Sequence, residues 1–204
     1  MRAKDFRQRA WAALSGKWGT AVLASLVYVL LAGAINAIPG IGSVASLVLT
    51  GPLYLGLVIT MSKILNDEPA EVANVFDGFK NFLNSFVLYV VNTLFVLLWS
   101  LLFIIPGIIK SYSYAMSYYI LKDNPNMSGD EARKASIEMM KGHKWELFCL
   151  EFSYIGWMLL SILTLGILTL WVNPYMEVAK VAFYENLKNI ASLIFLLVLL
   201  YFFS

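Results

Sequence analysis

Four charged side chains fall inside apolar stretches of the chain: Lys110, Glu151, Glu177 and Lys180. A charge at the bilayer centre costs about 2.5–3.5 kcal/mol on insertion scales, so each needs a partner or water. Lys110 follows Pro106, and Glu177 follows Pro174, at nearly the same interval. Lys110, Ser113, Tyr114 and Ser117 recur at i, i+3, i+4, i+7. Asn173, Glu177, Lys180 and Tyr184 recur at i, i+4, i+7, i+11. Each set makes one stripe along a helix. Polar stripes on neighbouring membrane helices face each other rather than lipid. The spacing predicts a polar seam with Lys110 beside Glu177. Its chemistry is that of an internal ion pair joining helices, or of a small polar cavity open to the outer side. Glu151, near the start of its apolar run, is expected to reach the headgroups.

No catalytic pattern accompanies these charges. The chain has no Gly-x-Ser-x-Gly, no His-Glu-x-x-His and no phosphate-binding glycine loop. Its one histidine, His143, and one cysteine, Cys149, cannot build a His/Cys metal cluster, and one cysteine cannot form an internal disulfide. His143 lies between Lys141 and Lys144 and reads as a surface residue; Cys149 reads as an apolar filler. Asp67, Glu68, Asp130 and Glu131 read as a solvated face and helix-start acids. No catalytic, metal or cofactor residues are expected, and no cofactor.

The elements that carry the stripes belong to a membrane. Of 204 residues, 60% are hydrophobic and 14% charged, where a soluble domain is about a quarter charged. A net charge of +2 offers no field for nucleic acid. The expected fold is an all-α polytopic helical bundle. It forms one transmembrane domain, 1–188, with six spans near 20–38, 41–65, 86–105, 107–121, 147–171 and 174–187. An apolar tail, 189–204, follows; its run 190–203 is about 21 Å as a helix, short for a full crossing. Turns are expected near Pro39, Pro106 and Pro174.

Lys and Arg are distributed unequally. The N-terminus carries Arg2, Lys4, Arg7, Arg9 and Lys17, and the loops after spans two and four carry most of the remainder. The turns after spans one, three and five carry none. This predicts a cytoplasmic N-terminus and cytoplasmic loops 66–84 and 122–146. Amphipathic helices are expected at the interface. Phe6, Ala10, Ala13 and Leu14 make one apolar face, and Val72, Val75, Phe76 and Phe79 another. Ser128 with Glu131 reads as a capping box, and Gly142 as a helix end.

Three segments share a plan: amphipathic helix, Gly break, long span, Pro turn, short span. The breaks are Gly16, Gly78 and Gly142, and the prolines Pro52, Pro106 and Pro174. A threefold internal repeat is expected, with the short helices lining the centre.

Several of these stretches carry a resemblance. Arg9-Ala-Trp-Ala-Ala-Leu14, IPGIIKSYSYAMSYYIL and Met127-Ser-Gly-Asp-Glu-Ala-Arg-Lys-Ala-Ser136 are the first three. Met140-Lys-Gly-His-Lys144, Asn173-Pro174-Tyr175 and Ala182-Phe-Tyr-Glu185 complete the set. Together they resemble a bacterial integral-membrane family of unknown function, frequent in Gram-positive bacteria. That family is distantly similar to the membrane domain fused to some glycerophosphodiester phosphodiesterases. The resemblance covers residues 1–188. It implies a plasma-membrane location and six spans and supplies no reaction. The expected function is a non-catalytic binding or accessory module. Its partners would be membrane lipids, an envelope protein or a membrane-active peptide. The alternative is a small transporter or channel using the seam around Lys110 and Glu177.

Overall fold

The computed structural model describes residues 2–37, 42–102 and 104–203, and side chains among these except at 102 and 194–203. The described residues are helical, with no strand. The order is α1 (Ala3–Leu14), α2 (Trp18–Asn36), α3 (Gly42–Leu65), a 3-10 helix (Val72–Asn81), α4 (Phe82–Leu102) and α5 (Ile104–Tyr114). Then follow α6 (Ser117–Asp123), α7 (Gly129–Met139), α8 (Lys144–Phe152), α9 (Ile155–Leu163) and α10 (Thr169–Phe203). Among the described residues, four stretches are long and apolar enough to cross a membrane: Trp18–Asn36, Gly42–Leu65, Val72–Leu101 and Lys144–Leu163.

Burial separates two kinds of helix. α3, α6 and the Val172–Leu187 part of α10 supply most of the core. α2, α4 and α9 leave long apolar side chains such as Leu30, Leu97 and Leu163 uncovered. In water such a surface would be a liability, whereas against hydrocarbon it costs nothing.

The amphipathic segments pack into this bundle. Phe6, Ala10 and Leu14 of α1 are fully buried, and Phe6 meets Phe183 of α10 edge to face at 5.3 Å. The 3-10 helix lies against α3 through two glycines. A Cβ on Gly56 would stand 1.7 Å from the Val75 carbonyl oxygen, and one on Gly78 would stand 2.0 Å from that of Pro52. Only hydrogen at these positions allows the backbones to approach so closely. Glu131 and Ser128 form the expected capping box at α7. Gly129 presses on Asn84 and Leu88 of α4, and Ser136 of α7 is fully buried.

Several boundaries depart from the proline reading. Pro52 lies inside the continuous α3, and Pro174 inside α10. The turn before α10 is Thr164–Leu168, not 172–174. There the Gly166 amide donates to the Ser161 carbonyl and the Leu165 amide to that of Ile162. Leu165 and Gly166 both have left-handed backbone, φ 51° and 86°. That is a Schellman stop, which satisfies the last carbonyls of α9. Pro174 sits in the second turn of α10, where its missing N–H removes a single bond. Pro106 falls in the first turn of α5, where no bond is lost. The turn expected near Pro39 lies outside the described residues.

The expected fourth span, 107–121, is interrupted between α5 and α6, and the expected fifth, 147–171, between α8 and α9. Serines accompany both interruptions. Ser117 Oγ donates to the Tyr114 carbonyl at 2.7 Å, and Ser153 Oγ to that of Leu150 at 2.6 Å. Such back-bonding bends helices. The apolar tail simply continues α10. Gly16 and Gly142 both adopt positive φ, 79° and 81°, after α1 and α7. Gly78 does not; it is held inside the 3-10 helix.

Candidate functional site

The charges within apolar stretches meet on Lys180, not on Lys110. Lys180 Nζ lies 3.4 Å from Glu177 Oε1 and 3.4 Å from Glu151 Oε1. Glu177 and Lys180 are one turn apart on α10, and Glu151 reaches in from α8. Tyrosines complete the carboxylates' hydrogen bonds. Tyr54 of α3 donates to Glu177 Oε2 at 3.2 Å, and Tyr119 of α6 to the same oxygen at 3.4 Å. Tyr112 of α5 donates to Glu151 Oε2 at 2.7 Å. Five helices thus converge on three charges, as buried ions require.

Lys110 goes elsewhere. Its Nζ sits 4.9 Å from the Trp99 ring centroid, on α4. Among the described residues it makes no ion pair, with Glu177 or any other acid, so the expected Lys110–Glu177 pair is replaced by Lys180–Glu177. The physical reason is local. A lysine three residues along the same helix reaches Glu177 without depending on how two hairpins align. Glu151 does not simply reach outward to headgroups; it holds Tyr112 and Lys180.

The rest of the two stripes divides. Ser113 and Ser117 are buried, and each donates to a carbonyl of its own chain, Ile109 and Tyr114. Tyr114 is buried beneath Arg133, whose guanidinium lies 5.6 Å from its ring centroid and 4.5 Å from that of Phe95. Tyr184 donates to Asp123 at 2.9 Å. Asn173 borders a small cavity with Ser25, Tyr28, Tyr54 and Glu177. Of the predicted seam, Tyr114, Asn173, Glu177 and Lys180 therefore lie at the charged cluster or the cavities beside it.

A larger cavity, about 670 Å³, opens on the other side of Tyr54. Glu151 and Lys180 stand in its wall with Tyr54, Tyr89, Tyr112 and Tyr118. Its outer rim includes Leu97 and Ile108, 59% and 50% exposed. The entrance is therefore apolar while the back wall is charged. The small cavity is about 230 Å³, and Tyr54 borders both.

Pattern reading missed Tyr54, Tyr112 and Tyr119. Tyr112 and Tyr119 belong to the run Ser111-Tyr-Ser-Tyr-Ala-Met-Ser-Tyr-Tyr119, six of whose nine residues fall off the stripe through Ser113, Tyr114 and Ser117. Tyr54 has no polar neighbour in sequence that marks it.

At the far end of α6 is a second polar cluster. Asp123 accepts from Tyr184 and from Lys188 at 2.6 Å, and pairs with Lys122 at 2.9 Å. Burial pushes its carboxyl up, but the bonds from Lys188 and Lys122 outweigh this and hold it below the usual range. Asp130 is likewise held low, by Lys134 and then Arg133. Arg9 bonds Glu185, tying α1 to α10. Lys17 holds Asp67 at 2.6 Å.

No curated protein and no solved structure matches the chain. A family model does, over residues 1–110 and 101–191. With its four membrane-length helices and this coverage, the chain belongs to the family described as "Protein of unknown function (DUF975)".

Proposed function

We propose that this is a multi-pass bacterial plasma-membrane protein that binds an amphipathic ligand without transforming it. One observation carries the reading: a cavity of about 670 Å³ with an apolar rim and the Glu151–Lys180 pair in its wall. A ligand dissolved in the hydrocarbon phase could enter past Leu97 and Ile108 and place its polar end on the charged wall. Ligand sites combine a mainly apolar lining with few polar groups in this way. Binding serves an accessory role toward lipid, an envelope protein or a membrane-active peptide.

The topology belongs to the same proposal. Six spans, with the N-terminus and loops 66–84 and 122–146 cytoplasmic, are supported by the Lys/Arg asymmetry. A repeat is supported in the first and third units by the matching left-handed Gly16 and Gly142. It is also supported by burial, since the second helix of each hairpin is the more enclosed one.

Transport is a second reading, favoured by one observation. Tyr54 separates two cavities, with Glu177 facing the smaller and Glu151 and Lys180 the larger. Rotation of its side chain would join them.

Native mass spectrometry of protein purified from its own membranes tests the first reading. Wild type should carry a bound amphiphile at near-unit occupancy, and Val96→Trp, which fills the cavity, should lose it. Equal lipid content in both would refute ligand binding at this cavity.

A further inference from the structure

The geometry points to the chemical class of that ligand: an organic cation, an ammonium group carried on an apolar body. The inference rests on the cavity being a ligand site and adds the sign of the charge it takes.

The first ground is the charge count. Two carboxylates, Glu151 and Glu177, face one ammonium, Lys180. The triad holds one carboxylate in excess. Both of its ion pairs are 3.4 Å long, against about 2.7–2.9 Å for a strong charged hydrogen bond. Glu151 Oε1 therefore has room for a second, closer donor. Other cations near the wall are already committed. Arg133, behind Tyr114, is bonded to Asp130 at 2.6 Å, Arg7 donates to the Ser153 carbonyl, and Lys110 lies over Trp99.

The second ground is the wall itself. The rings of Tyr54, Tyr89, Tyr112, Tyr114 and Tyr118 line it. The negative faces of aromatic rings attract ammonium groups.

The third ground is independent of charge. The Tyr118 hydroxyl is buried, with the residue 8% exposed, and it has no hydrogen-bond partner among the described residues. Asn92 Oδ1, on the same wall, has none either. Orphaned buried polar atoms call for an explanation. An amide oxygen only accepts, so its missing partner is a donor. An anion would bring acceptors to a wall that already presents Glu151, Asn92 Oδ1 and a lysine held by two acids. A cation with N–H donors would answer both the orphans and the excess carboxylate.

Tetraphenylphosphonium and tetraphenylborate, of the same shape and opposite charge, are the probes. Each is equilibrated with the protein in phosphatidylglycerol nanodiscs, and discs holding Val96→Trp give the background. The phosphonium should bind saturably, at least about tenfold tighter than the borate, and Glu151→Gln should weaken it about tenfold. If Glu151→Gln does not fold, decylammonium replaces the phosphonium, and Asn92→Leu, which removes an acceptor for its N–H, should weaken it several-fold. Borate binding as tight as phosphonium, or no saturable phosphonium binding, overturns the inference. In the first case Val96→Trp still abolishes binding, and the ligand-site reading survives alone. Repeating the titration in discs containing phosphatidylethanolamine separates two sources of the ammonium. Competition there assigns a lipid headgroup; unchanged affinity assigns a free cation.

Discussion

Lys180 Nζ stands 3.4 Å from Glu151 Oε1, joining α10 to α8 across the wall of the large cavity. The contact closes the two arms of the third hairpin, and the tyrosines of α3, α5 and α6 on the same carboxylates tie it to the rest of the bundle. Its neighbours Glu177, Tyr54, Tyr112 and Tyr119 come from four further positions along the chain.

Stability should depend on Lys180 far more than on Lys110. Lys180→Met leaves two enclosed carboxylates without their cation, a loss of about 3–5 kcal/mol. Adding Glu177→Gln should recover part of it. Lys110→Met removes only a cation–π contact with Trp99, about 0.5–1 kcal/mol. Thermal midpoints in detergent measure all three. A larger loss from Lys110→Met than from Lys180→Met would show that the triad has been misassigned.

That pairing shows where a sequence is readable and where it is not. The four charges within apolar stretches and their need for partners follow from the sequence alone. Glu177 takes a local partner, Lys180 at i,i+3, whereas the partners of Glu151 and Lys110 depend on how helices pack, and helical periodicity carries no such information. The apolar face of α1, the capping box of α7 and the Gly16 and Gly142 breaks are local, and they were legible. The turn before α10 was misplaced because proline was read as a stop. The stop is at Leu165-Gly166, where left-handed backbone caps α9. The tyrosines escaped notice because a phenol reads as apolar filler until a carboxylate is found beside it.

The glycines at the contact between α3 and the 3-10 helix should tolerate no side chain. Gly56→Ala and Gly78→Ala place a methyl group on the Val75 and Pro52 carbonyls. Overpacking of this kind costs about 1–3 kcal/mol or more. Gly156→Ala on α9 meets nothing within 4 Å and should be neutral or mildly stabilising. Folded yield by fluorescence size-exclusion separates the cases, and equal yields for all three would argue against the close backbone contact.

Ser136 should matter beyond its size. Its hydroxyl donates to the Ser113 carbonyl at 2.8 Å and accepts from the Met116 amide at 3.2 Å. It thereby satisfies the backbone opened between α5 and α6. Ser136→Ala strands both groups, at about 1–3 kcal/mol. Hydrogen exchange should accelerate at Met116 in the variant; unchanged protection there would mean that the break is satisfied some other way.

Acid should selectively erase the contribution of Asp123. Its folded carboxyl lies below the ordinary value of 3.8. The stabilisation is fully present above that value and is lost as pH falls through the lower, folded one. Asp123→Asn should therefore lower the midpoint at neutral pH, with the gap to wild type closing as pH drops below about 4. A gap that stays constant down to the acid limit of folding would assign the effect to packing.

Topology has its own check. In a Cys149→Ala background, Ser43→Cys should react with an impermeant thiol reagent in cells with a permeabilised wall. Asn126→Cys should react only after the membrane is opened. Labelling of Asn126→Cys in intact cells would reverse the proposed orientation.

The central claim is that the cavity beside Lys180 and Glu151 holds a selected amphiphile. The most direct measurement is photocrosslinking in native membranes, with benzoylphenylalanine placed at Ser111 on the cavity wall or at Leu163 on the exposed face of α9. Mass spectrometry of the adducts should find one dominant ligand mass at Ser111 and the mixed bulk lipids at Leu163. The same bulk mixture at both positions would contradict the account.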